Sequence, residues 1–212
     1  MQGGKFQKYL KSVKYGFYVI THPFDGFWDL KREQRGTLAG ALTFTVLTVL
    51  MLVLQKQGTA FLFNMNRLEE VDMMVDIVTV TLLFVLWCVS NWCLTSLMDG
   101  EGKMRDIAIF TGYSLLPLLI IQFPLILFSH MITAEEGTFY YVFSVISYIW
   151  TVALLLLGMM VTHQYSMKKT LLTTGLTLVG MAIILFVALL FFSVIQQFLT
   201  FVVTAYKEIR FR

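Results

Sequence analysis

Five runs of apolar residues, each about twenty residues or more and each closed by a polar stretch, constrain what this chain can fold into more than any other feature. A run of that length keeps no polar face for water. In hydrocarbon its backbone N–H and C=O groups can be satisfied only within its own helix. The pattern predicts spans at about 37–55, 73–98, 107–129, 139–161 and 171–198, within a membrane domain over 37–206. An amphipathic and interfacial segment, 1–36, precedes them, and a short basic tail, 207–212, follows. The expected fold class is an all-α integral membrane protein: a five-transmembrane-helix bundle preceded by N-terminal amphipathic and interfacial helices. Only 14% of the 212 residues are charged and 58% are hydrophobic, where a soluble domain is about 25% charged. Mean hydropathy is +0.75. The first 35 residues hold seven Lys or Arg and no apolar core, so no cleavable signal peptide is expected.

The second and third runs meet at a tight charged turn. Five of the eight residues from Asp99 to Asp106 carry charge: Asp99, Glu101, Lys103, Arg105 and Asp106. Gly100 and Gly102 between them are expected to supply the positive φ of a sharp turn. The third run then opens, and Gly112-Tyr113 precedes Pro117 by about one helical turn. Pro117 and Pro124 each free a carbonyl four residues back, on Tyr113 and Ile120. Ser90 and Asn91 of the preceding span are the expected partners. The fifth run, Leu171 to Tyr206, would be about 54 Å long as a helix, well beyond a hydrocarbon core of about 30 Å. It must tilt, break near Gly175 or Gly180, or project.

Asp99-Gly100-Glu101-Gly102 followed by Gly112-Tyr113-Ser114-Leu115-Leu116-Pro117 resembles the Yip (Ypt-interacting protein) family, in its bacterial type. A second match runs from His22-Pro23-Phe24 to Gly36. The resemblance covers about residues 20 to 190. It implies a five-span helical fold with a cytoplasmic N-terminus, and makes Gly100, Gly102, Gly112, Tyr113 and Pro117 its structural motif. In eukaryotes the family acts as a membrane adaptor in Rab and vesicle traffic. For bacterial relatives it implies little chemistry, and suggests an accessory subunit of a transport complex such as a sugar ABC importer.

At about 100° per residue, Phe6, Tyr9, Leu10, Val13 and Phe17 fall on one side of a helix over 5–17, and Lys5, Lys8, Lys11 and Lys14 on the other. Such a helix can lie on an anionic membrane surface, or serve as a solvated basic tail. Phe24, Phe27 and Trp28 then read as interfacial aromatics, either anchoring the bundle or meeting a partner. Gly36 and Gly40 form a small pair that permits close helix approach.

Lys and Arg set the orientation: eleven fall on the N-terminal side and two in the external loops, which makes the N-terminus cytoplasmic. Lys207, Arg210 and Arg212 then stand outside, against that trend. Catalytic signatures are missing. His22, His130 and His163 lie in different loops on both sides of the membrane, and no zinc-ligand spacing or phosphate-cradling loop occurs. Cys88 and Cys93 lie about 140° apart on one helix, so neither a disulfide nor a shared metal is expected. Asp76, one turn into the second run, is an acid expected to reach external water. No enzyme activity, cofactor, metal or nucleic-acid partner is expected.

The leading functional reading is a scaffold, adaptor or accessory subunit in a bacterial plasma membrane. It would touch membrane lipids and dock other membrane proteins, such as ABC transporter subunits, through Asp99 to Asp106 with Phe24, Phe27 and Trp28. The alternative is a small transporter or lipid-handling protein using a cavity around the Pro117 kink, with Asn91, Gln122 and Tyr113 along its path.

Overall fold

The computed structural model describes residues 2–64 and 72–210, with the backbone alone at 2–5 and 134. The helices are α1 (Gln2–Thr21), α2 (Pro23–Arg32), α3 (Leu38–Gly58), α4 (Met73–Leu97), α5 (Met104–Ser114), α6 (Leu116–Phe128), α7 (Gly137–His163) and α8 (Met167–Arg210), with a 3-10 turn at Ala134–Glu136. No strand occurs among the described residues. Five units are long and apolar enough to cross a membrane: α3, α4, α5 with α6, α7 and α8. The protein is an all-helical integral membrane protein. Arg67, Glu69 and Glu70 of the first external loop, and Arg212 of the basic tail, lie outside the described residues.

The spans pack as a central group of α3, α5–α6 and α7, with α4 and α8 paired at its side. Phe44, Ile107, Phe110, Tyr113, Leu116 and Leu154 fill the centre. One end of the bundle, called the near end below, carries α1, α2 and the turns after α4 and α7. The far end carries the turns after α3 and α6.

Local chemistry explains the helix ends. The Thr37 hydroxyl accepts from Gly40 N–H at 3.1 Å and opens α3, and Asp72 accepts from Met74 N–H at 2.8 Å to open α4. Asp106 accepts from Lys103 N–H at 3.1 Å and closes the first turn of α5.

Pro117 breaks the third span, as expected of a residue without an N–H, and becomes the first-turn proline of α6. Leu115 carries the chain across the break, its N–H reaching Gly112 O at 3.3 Å. Pro124 stays inside α6 without ending it. The expected partners point elsewhere: Ser90 donates to Thr177 O at 2.8 Å, and Asn91 Nδ2 lies 3.5 Å from Met159 Sδ.

α8 runs unbroken for 44 residues, so neither Gly175 nor Gly180 interrupts it. Its buried residues are Thr170, Thr173 and Thr177, and none after Thr177 is buried. Each of these threonines returns its hydroxyl to the carbonyl four residues back, which leaves a smooth stripe for α4. Gly180 continues that stripe, lying so close to Ser90 Oγ that a side chain would collide.

Candidate functional site

The near end gathers three segments distant in sequence: the end of α2, the turn from Met98 to Lys103, and the turn from His163 to Ser166. His163, the last residue of α7, is 1% exposed. Its ring stacks on Tyr165 with centroids 5.4 Å apart and meets Phe110 edge-on. Nδ1 accepts from Gly102 N–H at 3.3 Å. An imidazole nitrogen that accepts carries no proton, so this is the neutral ring protonated at Nε2. Nε2 is buried without a partner among the described residues.

The two turn glycines owe their identity to this ring and not to backbone conformation. Neither has positive φ, which corrects the expectation; Asp99 holds that conformation, at φ 56°. A Cβ on Gly100 would lie 2.6 Å from His163 Nδ1 and 2.7 Å from the Tyr165 hydroxyl, and one on Gly102 would lie 2.6 Å from His163 Cε1. The turn is thus moulded around two rings supplied by residues about sixty positions later. Tyr165 OH donates to Met98 O at 3.0 Å, and Lys169 Nζ donates to the same carbonyl at 2.7 Å. Burial, and then the charge of Asp99, push the Tyr165 phenol upward and keep it a donor.

Ion pairs tie the turn to α2. Glu101 Oε2 takes Arg32 Nη2 at 2.9 Å and Lys31 Nζ at 3.3 Å. Lys31 also donates to Thr162 O at 2.6 Å. Arg32 in turn lies over Trp28, 5.2 Å from the ring centroid. Trp28, Arg32, Glu101 and the turn therefore form one continuous surface. Trp28 and Phe24 stand four residues apart on α2, at 45% and 54% exposure. Phe27 does not belong with them: it is 1% exposed and packs in the core. Gly158 admits its ring, since a Cβ there would touch Phe27 at 3.0 Å. A shallow pocket of about 290 Å³ lies between Arg32, Lys103, Arg105 and Asp106. Asp99, Lys103 and Arg105 are exposed and make no ion pair with another described residue.

α1 carries three stripes where two were expected. Ser12, Gly16 and Val19 pack on the bundle, while Phe6, Leu10 and Phe17 remain exposed on another side. Lys8, Lys11 and Lys14 are exposed on a third, and the side chain of Lys5 is outside the described residues. Ser12 receives the motif tyrosine: Tyr113 OH meets Ser12 Oγ at 2.5 Å and donates to Ser12 O at 3.1 Å. Ser12 Oγ also accepts from Thr37 N–H at 2.9 Å. Gly112 lies against Ala41, where a Cβ would fall 2.6 Å from Ala41 O. Gly112 and Tyr113 thus lock α5 to α3 and α1. Sequence reading missed Ser12, although Ser12 and Gly16 have the small-residue spacing of a packing face. It also missed the burial of His163, for which no local signal exists.

Asn91, Gln122 and Tyr113 do not line a common path. Asn91 faces Met159, Tyr113 faces Ser12, and Gln122 Nε2 donates to Ser144 Oγ at 2.9 Å and Ser147 Oγ at 2.8 Å. Among the described residues no group of three or more His, Cys, Asp or Glu is placed to hold a metal.

The Yip1 domain family model matches residues 17–204, which covers nearly all of these contacts. No curated protein matches the chain, and no solved structure matches it.

Proposed function

The chain belongs to the Yip1 domain family, and from that premise we propose that it is a non-enzymatic membrane scaffold or accessory subunit whose near end docks other membrane proteins. The supporting observation is the rigid turn: glycines fitted to His163 and Tyr165 hold Asp99, Lys103 and Arg105 outward, on one surface with Arg32, Trp28 and Phe24. A preordered charged loop beside exposed aromatics suits recognition, because little side-chain and loop entropy is lost on binding. Glu101 and Asp106 serve the surface by shaping it, through Lys31, Arg32 and the α5 cap. In this reading the near end is cytoplasmic and the membrane is a bacterial plasma membrane. The bias of Lys and Arg supports that orientation. The lysine stripe of α1 would rest on anionic headgroups, and the partners would be transport-complex subunits such as those of a sugar ABC importer. The alternative of a transporter working around Pro117 loses its path, since its three polar residues face three different places.

The test pairs Lys103→Glu with Arg105→Glu. Fluorescence size-exclusion should show an unchanged folded peak, because surface charges contribute under about 1 kcal/mol each. Capture of native membrane partners from gentle detergent should be lost. Cysteines placed at Lys103 and Glu135 should label from opposite sides of the membrane. Capture that survives charge reversal, or labelling of both cysteines from one side, would remove the proposal.

A further inference from the structure

At the far end a cleft of about 410 Å³ opens where α4 stands away from α3 and α7. Its chemistry is of two kinds. Leu52, Val80 and Tyr140 give it apolar walls. One ion pair sits in it: Lys56 Nζ meets Asp76 Oδ1 at 2.5 Å. The pair falls in the last turn of α3 and the first turn of α4, where two apolar helices reach the membrane interface. Asp76 is 17% exposed and Lys56 43%. Asp76 Oδ2 is buried and has no hydrogen-bond partner among the described residues. A buried carboxylate oxygen in this position costs free energy until an N–H reaches it. Lys56 keeps ammonium hydrogens that Asp76 Oδ1 cannot use.

We propose that this cleft binds the headgroup of a zwitterionic aminophospholipid, with the lipid ammonium on the Asp76 carboxylate, which turns its buried Oδ2 toward the cleft to meet it, the phosphate on Lys56 Nζ, and an acyl chain along the apolar walls. Two opposite charges laid head to tail against two opposite charges satisfy all four. A purely anionic headgroup would meet the Asp76 carboxylate, and a quaternary ammonium would bring no N–H to the orphan oxygen. The apolar walls, and the side position between α4 and the central group, select a lipid over a water-borne solute carrying the same aminophosphate. This site lies at the opposite end from the docking surface and does not depend on it.

The experiment uses the full-length protein in detergent, with native mass spectrometry counting retained phosphatidylethanolamine, phosphatidylglycerol and phosphatidylcholine at equal concentration. Phosphatidylethanolamine should be retained about tenfold over either of the others, the worth of one charge-assisted hydrogen bond. Asp76→Asn leaves Lys56 without its counter-charge, so preference should pass to phosphatidylglycerol. Thr79 also lines the cleft, and Thr79→Phe, which narrows it without touching a hydrogen bond, should reduce retention of all three. The size-exclusion profile of each variant shows whether it folds, and Thr79→Phe carries the test if Asp76→Asn does not. Equal retention of the three lipids, an Asp76→Asn preference still toward phosphatidylethanolamine, or full displacement by free phosphoethanolamine would overturn the assignment.

Discussion

The third and fifth spans are both apolar enough to cross a membrane, and they take opposite forms. The third is broken at Leu115 and is the span most enclosed by the bundle; the fifth is continuous over 44 residues, with none buried after Thr177 among the described residues. Both sequences contain helix-weakening residues, but of different kinds. Pro117 removes a donor and must end a helix or bend it. Gly175 and Gly180 only lower helix propensity, by about 1 kcal/mol each, and in hydrocarbon that is too little to unsatisfy a backbone hydrogen bond. What a glycine does in these spans is decided by its neighbour. Gly112 lets α5 touch the backbone of α3, and Gly175 has nothing within 4 Å.

The largest expected effect breaks or sustains that contrast directly. Gly112→Val places side-chain carbons against the Ala41 backbone, which cannot move aside as a flexible side chain can, so the cost should exceed the usual overpacking range of about 1–3 kcal/mol. Its folded peak in size-exclusion should vanish, and that of Gly175→Val should match the parent. Similar behaviour of the two would mean that burial does not separate these spans.

A smaller effect is expected at the near-end turn. Gly102→Ala should lower the melting temperature by several degrees, as overpacking of about 1–3 kcal/mol would. Adding His163→Ala should restore part of the loss, because the ring that the methyl meets is gone. A backbone-conformation origin would give no rescue, so an additive double variant would overturn the fitted-ring account.

The smallest effect belongs to α8. Truncation after Leu185 removes no buried residue, and leaves 19 residues of α8, enough for about 28 Å. Melting of the bundle should shift by no more than about 0.5 kcal/mol would cause. A large loss would show that the distal helix is packed after all.

The two spans also show where reading the sequence stops. Span number and approximate position follow from hydropathy, a one-dimensional property, and Pro117 acts through its own covalent structure. Burial within a membrane is different. Phe27 and Trp28 are adjacent and both aromatic, yet one is in the core and the other outside, because α2 turns Gly26 against Val19. A helix lined by apolar residues on every side gives no amphipathic signal of which side meets protein. The near-end site was legible in its charges and glycines, but the reason for the glycines was not. His163 lies 61 residues from Gly102 and reaches it only through the return of α7. Positive φ fell to Asp99, which tolerates the left-handed region better than most residues, so the turn did not need a glycine for it.

The unsupported length of α8 has a mechanical consequence. From Leu171 to Tyr206 the helix is apolar, about 54 Å of rod in a hydrocarbon layer of about 30 Å. Keeping all of it out of water requires an inclination of about 56°, beyond the usual range of about 0–40° for membrane helices. Its buried residues, Thr170, Thr173 and Thr177, lie near its start, with Gly180 and Met181 packed just beyond them. The remainder is a cantilever whose distal part lies about 45 Å from its base in the membrane plane when the whole apolar stretch is immersed.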